Sequence, residues 1–134
     1  MQQIILVDDD DSLRKMLRIN LEQLNYEVFE ARGGEEAIKM FTPEHPDVLI
    51  TDIIMPGKQG LDIIGIFRLK YPGLKIIAMS GAGRIVKTEY LKMALARGAD
   101  AVLEKPFTTD ALAATLKQLL EPASGDPAIP SKTE

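Results

Sequence analysis

Short apolar runs alternate along this chain with longer stretches in which hydrophobic residues recur at every third or fourth position. Ile4 to Val7, in QQIILVDD, form an uninterrupted run, the pattern of a strand covered on both faces as in parallel sheets. Leu13, Met16, Leu17, Leu21 and Leu24 then follow helical spacing, with Ser12 or an adjacent Asp placed to cap the first free N–H groups. YEVFEA reads as a short strand, GGEEAIKMF as a short helix, and PDVLITD as an apolar strand that runs into Asp52. Leu61, Ile64 and Phe67 lie on a helix that stops before Pro72, because a residue preceding proline avoids the helical region. LKIIAMS is a further strand, a helix between Arg84 and Arg97 ends at Gly98, and AVLE is the last strand. TTDALAATLKQLLE closes the series as a capped helix with an apolar stripe at Leu112, Leu116, Leu119 and Leu120.

Strand and helix alternate five times. Parallel strands need crossover connections, so the pattern predicts an α/β domain with a parallel sheet covered by helices on both faces. Residues 1–121 hold this pattern, whereas PASGDPAIPSKTE, residues 122–134, is rich in Pro, Ser and Gly and lacks periodicity, and reads as a disordered tail.

Composition narrows the chemistry. A chain of 134 residues, 46% hydrophobic and 27% charged, is the size of one globular domain. The formal charge of -4 argues against a nucleic-acid surface, which would need clustered Lys and Arg. The absence of cysteine removes disulfides, thiolate catalysis and thiolate metal sites. No apolar run approaches the roughly 20 residues that cross a bilayer, so a soluble, cytoplasmic protein is expected.

In a doubly wound sheet, ligands bind beyond the carboxyl ends of the strands. Those ends deliver Asp8 and Asp9 from the first strand, Asp52 from the third, Ser80 from the fourth, and Lys105 just past the fifth. Two carboxylates about 4 Å apart repel by roughly 4 kcal/mol at an effective dielectric near 20, so three acids on one rim call for a compensating cation. An all-oxygen donor set with few carboxylates and room for water suits Mg2+. An aspartate beside Mg2+ and a lysine can serve as a nucleophile that accepts a phosphoryl group, and Asp52, followed by the turn at Pro56 and Gly57, is the reachable one. Each residue taken alone has a plainer reading as a helix cap or a turn residue. Their joint placement points to chemistry.

ILVDDD, PDVLITDIIMPGKQGLDII, the serine ending the fourth strand, and GAD with EKPF resemble, in order and approximate spacing, the motifs of response regulator receiver domains in two-component signalling. The resemblance runs to about residue 121 and implies the flavodoxin-like strand order 2-1-3-4-5. It implies Asp52 as phosphoacceptor, and Asp9 directly and Asp8 through water as holders of Mg2+, with the backbone carbonyl of Ile54 completing the protein's share. Lys105 would pair with the phosphoryl oxygens, Ser80 would move to hydrogen-bond them, and the Lys105–Pro106 peptide would be cis. The implied phosphodonor is a sensor histidine kinase or a histidine phosphotransfer protein. The output is binding of a downstream protein through the fourth helix, fifth strand and fifth helix, a face that could also form a homodimer. A stand-alone domain of the chemotaxis-regulator type, with no direct nucleic-acid or membrane contact, is expected.

Three features depart from the family pattern. Val102 stands three before the lysine, where an aromatic is common, so an aromatic flip cannot accompany movement of Ser80. The stretch from Ser80 to Asp100 is a few residues longer than usual, which implies an altered fourth helix. Ile54 and Ala82 are apolar where fast-cycling relatives carry polar groups, which implies slow loss of phosphate. Three other readings stay open: a Mg2+-dependent phosphatase or phosphotransferase using Asp52, a receiver signalling by constitutive contacts, and a flavin or nucleotide binder. The last lacks a Gly-rich first turn to cradle phosphate.

Overall fold

A computed structural model describes residues 1–40, 46–53, 60–81 and 87–121. The elements follow in the order β1 (Gln3–Val7), α1 (Asp11–Gln23), β2 (Glu27–Ala31), α2 (Gly34–Ile38), β3 (Val48–Asp52), α3 (Gly60–Lys70), β4 (Lys75–Ser80), α4 (Lys87–Arg97), β5 (Ala101–Glu104) and α5 (Thr109–Leu120). All neighbouring strands pair parallel, in the order β2-β1-β3-β4-β5. The strand order is the one implied by the resemblance.

Side-chain alternation along the strands divides the core in two. Ile5, Val7, Leu49, Ile76 and Ala78 face one way and pack with Ala37 of α2, Ile63, Ile64 and Phe67 of α3 and Ala94 of α4. Ile4, Leu6, Val48, Ile50, Ile77 and Met79 face the other way, against Leu17 and Leu21 of α1 and Leu112 and Leu116 of α5. Both faces being dry explains why β1, β3 and β4 are apolar almost throughout. Among the described residues no helix is long and apolar enough to cross a membrane.

The helix ends follow local chemistry. Asp10, rather than Ser12, caps α1, its Oδ1 accepting the Leu13 N–H at 3.1 Å, and Thr108 caps α5 in the same way through Ala111. Asn25 takes φ 72° after α1, a left-handed turn that asparagine tolerates and that feeds the chain into β2. Gly98, at φ 121°, closes α4.

The apolar stripe of α1 needs correction. Met16 is 52% exposed and Leu24 lies at the exposed margin, while Arg14, on the same face as Leu17 and Leu21, is buried. A guanidinium can occupy that inner position because Glu30 on β2 and Asp11 meet it there. Residues 122–134 and 82–86, Ala82 among them, lie outside the described residues. The fourth helix is described from Lys87 onward.

Candidate functional site

Each parallel strand ends at the same edge of the sheet, and the chain leaves it there in loops. Asp8 follows β1 directly and continues its pairing, the Asp8 N–H donating to the Ala31 carbonyl at 3.1 Å. Its side chain is fully buried. Oδ1 accepts the Asp10 N–H at 2.9 Å, which turns the backbone toward α1. Asp9, next in sequence, is exposed.

Asp52 is the last residue of β3 and is 7% exposed. The strand alignment is fixed beyond it by the Ile53 N–H on the Met79 carbonyl. Behind it, Gly60 at the start of α3 donates to the Ile53 carbonyl at 2.9 Å and passes so close that a β-carbon there would lie 1.8 Å from the Asp52 carbonyl oxygen. Only glycine permits that approach.

Lys105 crosses from the end of β5 to join the acids. Its Nζ donates to Asp8 Oδ2 at 2.9 Å and to Asp52 Oδ2 at 3.0 Å. Asp8, Asp9 and Asp52 each present a carboxylate oxygen, and these three atoms lie within 4.8 Å of one another. Three carboxylates against one ammonium leave two negative charges, which a divalent ion would balance. Hard oxygen donors and an opening on the exposed Asp9 side fit Mg2+. The Lys105–Pro106 peptide is cis.

Burial alone would push the Lys105 pKa down, but its hydrogen bonds to Asp8 and Asp52, with their charges, outweigh it and hold it above the ordinary lysine value. Lys105 therefore stays charged at neutral pH. Ser80 ends β4 and is 4% exposed, and its Oγ has no hydrogen-bond partner among the described residues. A buried hydroxyl left unpaired costs about 1–3 kcal/mol, so a ligand oxygen reaching it would be favoured. Its carbonyl accepts the Lys105 N–H at 2.8 Å, which ties the two residues through the backbone. Val102 pairs with Ala78 across the sheet and packs, partly buried, against the core. Ile54, Pro56 and Gly57 lie outside the described residues.

Three residues of this region, Arg14, Arg18 and Glu30, escaped the sequence reading. Arg14 donates from Nη1 to the Asp8 carbonyl at 2.8 Å and from Nε to Glu30 at 2.7 Å, while Arg18 holds the other oxygen of Glu30 at 2.8 Å. The signal was present: Arg14 is spaced three and seven residues before Leu17 and Leu21, a charge on the apolar face.

The Arg18 hydrogen bond holds Glu30 below the ordinary glutamate value; desolvation works against it, and the Arg14 bond and both guanidinium charges add to it. A depressed carboxylate pKa gives stability that is complete above the unfolded value and is lost as pH falls through the folded one. The urea midpoint of the wild type should therefore drop across the acid side of the carboxylate range, and more steeply than that of Glu30→Gln. Parallel curves for the two proteins would show that this clasp contributes nothing.

The response regulator receiver domain model matches residues 4–117. A receiver domain from Clostridium thermocellum superposes with a TM-score of 0.82 at 26% identity, covering 90% of this chain and 94% of that one. The response regulator TrrA from Thermotoga maritima, in complex with Mg2+ and BeF, is 36% identical with a TM-score of 0.76, covering 90% and 100%. The chemotaxis protein CheY4 from Vibrio cholerae is 30% identical with a TM-score of 0.79, covering 90% and 99%. With three carboxylates and a lysine gathered where the parallel strands end, and the family model spanning most of the length, the chain belongs to the response regulator receiver domains, the phosphorylation-dependent switches of two-component signalling.

Proposed function

We propose that residues 1–121 form a receiver that takes a phosphoryl group on Asp52 from a histidine kinase or histidine phosphotransfer protein in the cytoplasm, in a Mg2+-dependent step, and thereby changes its affinity for a downstream protein. The observation that carries this reading is the double contact of Lys105 Nζ with Asp8 and Asp52, with Asp9 beside them. An Asp52 oxygen attacks phosphorus, the O–P bond forms, and the P–N bond to the donor imidazole breaks, its electron pair staying on nitrogen. Lys105 is freed from Asp52 to meet a phosphoryl oxygen, and the Ser80 hydroxyl supplies a second donor. Asp8, Asp9 and Asp52 would hold the ion, with the Ile54 carbonyl as a further ligand, and the ion when bound would supply charge neutralisation on the phosphoryl oxygens. That TrrA, 36% identical over 90% of this chain, forms a complex with Mg2+ and BeF supports Mg2+ binding by this chain.

A turnover phosphatase would need a second acid near the leaving group. Asp10 is engaged as the helix cap, which weighs against it.

The test is incubation of the protein with a small-molecule phosphodonor, with and without Mg2+, followed by intact mass and a peptide map. The expected result is one added phosphoryl group per chain, only with Mg2+, on the peptide containing Asp52. No mass gain under either condition, or a modification on another peptide, would defeat the proposal.

A further inference from the structure

Among the described residues Arg14 is the one buried cation, 5% exposed, and it lies on the helix that follows the acidic pair. A charge taken out of water to pack a helix is poor economy, since an apolar side chain beside Leu17 and Leu21 would bury as well without the desolvation penalty. What an apolar residue could not do is donate to the Asp8 carbonyl.

We infer that Arg14 is a positioning residue for the metal site: by holding the Asp8–Asp9 peptide unit it sets where the Asp9 carboxylate points. The inference rests on the Mg2+-dependent reading above.

The two acids are held in different ways. Asp8 is anchored by its own side chain, through the Asp10 N–H and Lys105. The Asp9 side chain is exposed and makes no hydrogen bond among the described residues. Its place within reach of Asp8 and Asp52 is therefore decided by the backbone that carries it. The Asp8 carbonyl belongs to the peptide plane that leads into Asp9, and the 2.8 Å bond from Arg14 Nη1 fixes the rotation of that plane.

The guanidinium is itself held on its remaining edges, Nε by Glu30 at 2.7 Å and Nη2 by Asp11 at 2.8 Å. A planar fork can serve three acceptors in fixed directions at once, which a lysine ammonium on a flexible stem does not reproduce. Groups that orient metal ligands in this way contribute strongly to metal affinity without touching the ion.

Mg2+ titration of the full chain, followed through amide chemical shifts at constant ionic strength, separates positioning from simple support of the fold. Arg14→Met should raise the apparent Mg2+ dissociation constant about 10-fold at a temperature where the variant is fully folded. Arg14→Lys, which keeps the charge and loses the fork, should weaken binding severalfold, and decides the matter if Arg14→Met does not fold. A fall in the urea midpoint with a dissociation constant equal to that of the wild type would reduce Arg14 to a structural residue and overturn the inference. A wild type with no saturable response to Mg2+ would remove the metal reading itself, and the inference with it.

Discussion

Asp52→Asn should abolish phosphoryl incorporation and, in the same molecule, raise the stability of the fold by about 1 kcal/mol or more in the absence of divalent ions. The two effects come from one arrangement. Asp8, Asp9 and Asp52 crowd three carboxylates around the single ammonium of Lys105, and two of them are buried. Neutralising Asp52 removes repulsion of several kcal/mol at carboxylate separations of about 4 Å, offset in part by a weaker bond to Lys105. The amide oxygen can still accept from Nζ, so no donor is orphaned.

Lys105→Met should move stability the other way. It leaves Asp8 and Asp52 without their counter-charge, and breaking a buried pair by removing one partner typically costs about 3–5 kcal/mol. The lower end applies here because the lysine side chain is 18% exposed and the loss is partly screened. Loss of a fixed donor to the phosphoryl oxygens should also slow phosphorylation by on the order of 100-fold. Urea unfolding without Mg2+, with phosphodonor kinetics on the same preparations, checks both variants. Destabilisation by Asp52→Asn, or no loss of stability in Lys105→Met, would show that the cluster is not electrostatically strained.

The second large effect is steric. In Gly60→Ala the new β-carbon would lie 1.8 Å from the Asp52 carbonyl oxygen and 2.7 Å from both the Asp52 carbonyl carbon and the Ile53 Cα. All three are backbone atoms, so relief requires moving the end of β3 or the start of α3. Overpacking of this kind costs roughly 3 kcal/mol or more when no flexible side chain can give way. Displacement of Asp52 by even about 1 Å should slow phosphoryl transfer by on the order of 100-fold.

Gly65→Ala on the same helix is the control. Nothing lies within 4 Å of the added carbon there, and replacing a mid-helix glycine should stabilise by roughly 0.5–1 kcal/mol. Thermal melts of the two variants should shift in opposite directions, and only Gly60→Ala should slow phosphorylation. Equal behaviour would mean that Gly60 does not set the position of the phosphoacceptor.

Several features were readable from the linear pattern because they depend on short-range chemistry. The uninterrupted apolar runs at Ile4–Val7 and in VLITD required strands covered on both sides, and the alternation with helical stripes required parallel pairing. Polar residues that break off such runs, Asp8, Asp52 and Ser80, could be assigned to one edge because every strand of a parallel sheet ends on the same side. The stripe on α5 was equally plain, with Leu112 and Leu116 buried.

Where the pattern misled, a partner distant in sequence had intervened. Met16 fits a helical stripe by spacing, yet α1 is rolled so that Arg14 faces inward, a rotation that Glu30 on β2, distant in sequence, helps to make tolerable. Local spacing carries no information about that ion pair. The need for glycine at residue 60 likewise comes from the close pass of α3 behind Asp52, which local spacing does not show.

By itself the amino-acid order determined the strand and helix series, the parallel sheet and the set of polar residues available at its edge, since periodicity and strand direction follow from local backbone geometry. Tertiary packing alone decided that Lys105 bridges Asp8 and Asp52, that the Ser80 hydroxyl is buried without a partner among the described residues, and that Arg14 reaches back to the Asp8 carbonyl. Those contacts join residues up to 97 positions apart, and their distances are set by how the helices pack on the sheet.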